Sequence, residues 1–146
     1  MALTIQSNPV GPPRHEPAGL VLVDDNQAIL DRVANMLQED YRILGTASDE
    51  ESALQLVELC SPDLVVLDIA LGNSNGMDLA VKLRSHGYGG SIVFLTVHND
   101  PDFVSAAFAA GARGYVIKSQ IAADLRVAIE NVLQGRMFVS SSNHLH

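Results

Sequence analysis

Two adjacent aspartates, a third aspartate, a threonine and a lysine each directly follow a short apolar run. Asp24-Asp25 follow Leu20-Val21-Leu22-Val23, and Asp68 follows Leu64-Val65-Val66-Leu67. Thr96 follows Ile92-Val93-Phe94-Leu95, and Lys118 follows Tyr115-Val116-Ile117. If these runs are strands of one parallel sheet, their carboxyl ends share a rim, where ligands bind. Three carboxylates, a hydroxyl and an ammonium would then meet in one small acidic site. Two carboxylates about 4 Å apart repel by about 4 kcal/mol at an effective dielectric near 20. Such a cluster calls for a hard cation, and Mg²⁺ takes one or two carboxylates while keeping several waters. Asp24 and Asp25, adjacent at one strand end, suit metal ligation. Asp68 suits a nucleophile, because it precedes an open glycine-bearing loop, Gly72-Asn73-Ser74-Asn75-Gly76. A carboxylate nucleophile forms an acyl phosphate. Phosphoryl transfer needs in-line positioning and charge neutralisation, to which a cation, Lys118 and the Thr96 hydroxyl would contribute. Taken alone, Asp24-Asp25-Asn26 also fits a plainer role as the cap of a following helix.

The elements that must position these groups read as strands alternating with helices. Strands are expected at Leu20–Val23, Tyr41–Thr46, Leu64–Leu67, Ile92–Leu95 and Tyr115–Ile117. The first helix is expected over Gln27–Gln38, with Leu30, Val33 and Leu37 on one stripe. The second starts after Ser48, with Glu51 completing a capping box, and ends near Cys60, where Pro62 stops it. The third covers Met77–Ser85. The fourth begins near Pro101, a favoured first-turn position for proline, and ends near Gly111. The fifth runs from Ile121 to Leu133, with Leu125, Ala128, Ile129, Val132 and Leu133 at helical offsets. Five strands alternating with five helices imply an α/β fold, a parallel sheet covered on both faces. Strands buried on both faces are continuously apolar, as these runs are. Residues 1–18, rich in proline, read as a flexible leader, 19–136 as the domain, and 137–146 as a linker or tail.

The chain has 146 residues, 47% of them hydrophobic, with a net charge of −8. That suits one globular domain. Nine basic residues against seventeen acidic ones exclude the basic patch of a nucleic-acid surface and are compatible with cation binding. One cysteine, Cys60, excludes an intrachain disulfide and fits a small apolar residue near a helix end. No apolar run approaches the ~20 residues that span a membrane. The sequence lacks a secretory signal pattern, and the expected location is the cytoplasm.

In order and spacing these pieces resemble the receiver domain of bacterial two-component response regulators. The resemblance rests on Val21-Leu22-Val23-Asp24-Asp25-Asn26, Leu67-Asp68-Ile69, Gly76 and Phe94-Leu95-Thr96. It is completed by Gly111-Ala112-Arg113-Gly114-Tyr115-Val116-Ile117-Lys118. It covers about Leu20 to Gly135. It implies a flavodoxin-like, doubly wound sheet of strand order 2-1-3-4-5 with five helices. By position it makes Asp68 the phosphoacceptor. Asp24, Asp25, Asp68 and the Ala70 backbone carbonyl become ligands of Mg²⁺, and Thr96 and Lys118 contact the phosphoryl group. Tyr115 becomes the aromatic that swings inward as Thr96 moves. The implied phosphodonor is a sensor histidine kinase or a phosphotransfer protein. The stretch Gly135-Arg136-Met137-Phe138-Val139 is similar to the junction of NarL/FixJ-type regulators, whose DNA-binding domain follows.

The expected function is therefore a phosphoacceptor domain, not an enzyme. It would switch a surface of helix four, strand five and helix five to control an output, with transcription the expected one. DNA would be reached only through a further C-terminal domain, and homodimerisation is compatible with a free helix face. The alternative is an interaction module of the same fold that works without phosphate. An aspartate phosphatase is disfavoured, because Ala70 stands where such enzymes carry a second acid. Three neighbours depart from the usual receiver pattern: Gly72 for proline, Val97 for a small residue and Ser119 for proline. Val97 is expected to crowd access to Asp68, and the Lys118–Ser119 bond to be trans by default.

Overall fold

The computed structural model describes residues 16–141. Most of the expected leader, residues 1–15, and the end of the tail, 142–146, lie outside them. Strands β1 (Gly19–Val23), β3 (Leu64–Asp68) and β7 (Gly114–Ile117) are buried along their whole length. β6 (Ser91–Thr96) is buried after its first residue, and β2 (Arg42–Ala47) is a half-exposed edge. With β8 (Phe138–Val139), all pair in parallel, in the order β2-β1-β3-β6-β7-β8. This is the flavodoxin-like order expected, extended by one strand.

The five helices are α1 (Gln27–Leu37), α2 (Glu50–Cys60), α3 (Gly76–Ser85), α4 (Pro101–Ala109) and α5 (Arg126–Leu133). Alternation along the strands divides the core. Leu20, Leu22, Leu64, Val66, Val93, Leu95 and Val116 pack with α1 and α5, through Leu30, Val33, Leu37, Leu125, Ala128 and Ile129. Val21, Val65, Leu67, Ile92, Phe94 and Tyr115 face α2, α3 and α4, through Ala53, Val57, Leu79, Leu83 and Ala107. Burying one such aliphatic side chain contributes about 1.5–3 kcal/mol, which fixes the register and therefore the height of every strand end. No helix among the described residues is long and apolar enough to cross a membrane.

Four features differ from the sequence reading. Asp49, not Ser48, caps α2, its carboxylate accepting the Ser52 N–H at 2.8 Å. The loop after Asp68 is a tight hairpin of β4 (Ala70–Leu71) and β5 (Ser74–Asn75). Gly72 turns it at φ +58°, a conformation that costs glycine little. The fifth helical segment is not uniform. A 3₁₀ turn at Lys118–Gln120 and a π turn at Ile121–Leu125 precede α5. Finally, the expected five strands are six, because Phe138–Val139, placed in the linker, pairs with β7 as β8. Phe138 is half-buried against the α5 side of the core, so the sheet extends past residue 136.

Candidate functional site

The strand ends meet as expected. Asp24, Asp68 and Thr96 are buried polar residues, while Asp25 is exposed. One carboxylate oxygen from each of Asp24, Asp25 and Asp68 lies within 4.8 Å of the others. Lys118 Nζ stands 3.0 Å from Asp24 Oδ2 and 3.2 Å from Asp68 Oδ2. Residues from β1, β3, β6 and β7 thus converge on one rim, as the strand order requires.

Local backbone groups orient each carboxylate. Asp24 Oδ1 accepts the Asn26 N–H at 2.9 Å, and Asp68 Oδ1 accepts the Ala70 N–H at 3.0 Å. Asp25 Oδ2 accepts the Gly72 N–H at 2.8 Å, which ties the hairpin turn to the site. The helix cap is Asn26, whose side chain accepts the Ile29 N–H. That leaves both aspartates to the rim and answers the plainer reading of the Asp-Asp pair. Asp24 Oδ2 is buried, and its close partner is the Lys118 ammonium at 3.0 Å, which it shares with Asp68. One ammonium does not balance three carboxylates gathered so closely. An oxygen-seeking cation is the group that would balance them, and the all-carboxylate donor set fits a hard divalent ion. Ala70 supplies its N–H to Asp68, and its own carbonyl lies at the same hairpin start.

The electrostatics follow from burial. Desolvation pushes Asp68 up to about 6, reinforced by the Asp24 charge and opposed by the Ala70 N–H and by Lys118. Burial works against the Lys118 ammonium, but hydrogen bonding and attraction from Asp24 and Asp68 outweigh it and raise its pKa. Gly76 is required beneath this arrangement. A Cβ there would meet the Asp68 carbonyl oxygen at 2.1 Å, so only glycine lets α3 start so close to the end of β3.

Thr96 Oγ1 accepts the His98 N–H at 3.1 Å, and the Tyr115 hydroxyl donates to the His98 carbonyl at 2.8 Å. Tyr115 is fully buried, so its ring already lies inward. Burial raises its pKa, with the Asp100 charge adding to the effect and the Thr96 hydroxyl opposing it. His98 is exposed, and its ring stacks on Phe103 at 4.3 Å between centroids. Backbone bonds therefore link Thr96 to Tyr115 through a residue whose ring touches α4. Sequence reasoning missed this link, since backbone N–H and C=O groups carry no side-chain signature. Val97, next to Thr96, is 70% exposed. No peptide bond among the described residues is cis, and a trans Lys118–Ser119 bond still delivers the lysine to both carboxylates.

A flavodoxin-like sheet with three aspartates, a threonine and a lysine on its carboxyl rim defines a receiver-type signalling domain. The chain belongs to the response regulator receiver domain family, whose pattern matches residues 20–130. It is 33% identical over 129 residues to the nitrate/nitrite response regulator protein NarL of Escherichia coli strain K12, covering 87% of this chain and 60% of that protein. It is 36% identical over 115 residues to the transcriptional regulatory protein PdtaR of Mycobacterium tuberculosis, covering 78% of this chain and 56% of that protein. A crystal structure of a LuxR-family two-component response regulator from Aurantimonas sp. SI85-9A1 superposes with a TM-score of 0.81 at 32% identity. That match covers 88% of this chain and 92% of the other. The chain thus spans about 60% or less of the length of these two curated relatives.

Proposed function

We propose that this domain accepts a phosphoryl group on Asp68 and signals by rearranging the α4-β7-α5 face. The observation that carries the reading is the buried, doubly held Asp68 carboxylate. Oδ1 is fixed by the Ala70 N–H and Oδ2 by Lys118, with Asp24 and Asp25 alongside. An Asp68 oxygen attacks the phosphorus of a phosphohistidine on a sensor kinase or phosphotransfer protein. The P–N bond breaks, the donor imidazole keeps the bonding pair and takes up a proton, and an acyl phosphate forms on Asp68. Mg²⁺ bound by Asp24, Asp25, Asp68 and the Ala70 carbonyl would neutralise the carboxylates and phosphoryl oxygens. Lys118 moves its attraction from the Asp68 carboxylate to a phosphoryl oxygen, and the Thr96 hydroxyl donates to another. Ala70 offers no acid–base side chain for hydrolysis, which supports a lasting signal over enzymatic turnover.

Phosphorylation adds about −1.5 to −2 charges. If the Thr96 hydroxyl turns toward the phosphoryl group, its bond to the His98 N–H is lost, and the loop leading to α4 is freed. Helix α4 is the element best placed to respond. It fully buries only Ala107, whereas α3 buries four residues and α1 three. Few buried apolar contacts mark a segment of low local stability. Two charge-assisted hydrogen bonds at about 1.5–3 kcal/mol each approach the about 5.5 kcal/mol that carries a switch from 1:99 to 99:1. The output proposed is transcription, through DNA contacts made outside this acidic domain, with homodimerisation through the switched face. Incubation with a small acyl phosphate and Mg²⁺ tests the reading by intact mass. One phosphoryl group gained with Mg²⁺, and none in chelator, is expected. No gain under either condition would favour an interaction module that works without phosphate.

A further inference from the structure

Lys118 reaches both Asp24 and Asp68, yet it sits on a flexible stem directly after the last residue of β7. What holds that strand end is not β6 alone. On the opposite side of β7, the Phe138 N–H donates to the Arg113 carbonyl at 3.0 Å and the Ser140 N–H to the Tyr115 carbonyl at 2.8 Å. The ladder then continues through a side chain. The Ile117 N–H donates to Ser140 Oγ at 3.2 Å, and Ser140 Oγ donates to Asp124 Oδ2 at 2.7 Å. Ser140 is 6% exposed, and its hydroxyl is used as both acceptor and donor. Asp124 belongs to the π turn Ile121–Leu125, whose first and last residues are fully buried. Such turns are rare and concentrate at functional positions.

The result is a closed clamp. From Ile117 the path runs across Ser140 to Asp124, and back along the π and 3₁₀ turns to Lys118. Both ends of the segment that carries Lys118 are thus tied to one buried hydroxyl. Resting on the phosphoacceptor reading above, we infer that Ser140, backed by Asp124, is a positioning residue for Lys118. It sets the lysine against the Asp68 carboxylate and so governs the rate of phosphoryl transfer. A misplacement of about 1 Å in a reacting site can cost up to a hundredfold in rate, so a clamp loosened but not destroyed should cost about tenfold.

The test uses the chain of residues 1–146 and its Ser140→Ala, Ser140→Thr, Asp124→Asn, Lys118→Ala and Ser140→Ala/Lys118→Ala variants. Labelling by a small acyl phosphate with Mg²⁺ is timed, and melting is recorded for each. Ser140→Ala should label about tenfold more slowly, and Ser140→Thr should recover most of the rate. In the Lys118→Ala background, Ser140→Ala should add no further loss, because positioning has nothing left to position. Equal slowing in both backgrounds would reduce Ser140 to general stability and overturn the inference, as would an unchanged rate in Ser140→Ala. If Ser140→Ala does not melt cooperatively, Asp124→Asn gives the same comparison with the hydroxyl retained. A parent chain that takes no phosphate sinks the phosphoacceptor reading itself. A parent that labels normally beside an unaffected Ser140→Ala sinks only the clamp.

Discussion

The two rims of the sheet treat polar groups in opposite ways. At the amino rim they are matched to backbone partners. The Tyr88 hydroxyl donates to the Pro62 carbonyl at 3.0 Å, and Asp63 accepts the Gly19 N–H at 2.7 Å. The Arg84 guanidinium donates to the carbonyls of Tyr88, Gly90 and Gly111 and lies 5.6 Å from the Tyr88 ring centroid. A groove of about 290 Å³ opens beside them, lined by Leu54, Val57, Leu83 and the Gly87–Gly90 turn. It lies at the opposite end of the sheet from the three aspartates. At the carboxyl rim, three carboxylates are gathered around one ammonium. One rim is satisfied and holds the fold together. The other is left electrostatically incomplete, and such sites are where ligands and shifted pKa values concentrate.

The contrast makes separable predictions. The largest effect belongs to the satisfied rim. Arg84→Ala removes the donors to three carbonyls and should cost about 2–3 kcal/mol, read by denaturant unfolding, without altering Mg²⁺ affinity. A fall in affinity would show that the rims are coupled. Asp25→Ala should do the reverse. Mg²⁺ affinity, followed by calorimetry, should fall more than tenfold, a change above about 1.4 kcal/mol, with little effect on metal-free stability.

The carboxyl rim should also show its strain through pH. Burial raises Asp68 to about 6 in the metal-free domain, above the ordinary value of about 3.9. The fold thus favours the protonated acid. That contribution is fully present below the unfolded value and is lost as pH rises through about 6. Asp68→Asn should therefore melt higher than the parent in chelator at pH 7.5 and equal to it near pH 4. The gain should be on the order of 1–2 kcal/mol, after discounting for water at the open rim. A gain that is the same at both pH values would contradict burial as the cause. The smallest effect returns to the amino rim. Tyr88→Phe deletes one hydroxyl bond and should cost about 1 kcal/mol at unchanged metal affinity.

Much of this was legible in the sequence, for a physical reason. Strands buried on both faces must be continuously apolar, so Asp24, Asp68, Thr96 and Lys118 stand out as polar endings, and their common rim follows from parallel topology. The Leu30, Val33 and Leu37 stripe and that of Leu125, Ala128, Ile129 and Val132 are buried as their spacing predicts. What escaped lacks a side-chain code or enough length. β8 is two residues long, too short for periodicity to register. Ser140 reads as tail polarity, and only the edge of β7 reveals that it is buried. The Asp49 cap lay one residue from an equally plausible serine. The π turn leaves the apolar stripe of the fifth helical segment intact, so periodicity does not report it.

The most direct test concerns the unsatisfied rim itself. The parent chain and Asp68→Asn are incubated with a small acyl phosphate and Mg²⁺, then treated with borohydride, which reduces an acyl phosphate at the residue that carried it. Peptide mapping should place the reduced residue at position 68 in the parent, with Asp68→Asn unlabelled. Undiminished labelling of Asp68→Asn, or reduction at another carboxylate, would contradict the assignment of Asp68 as phosphoacceptor.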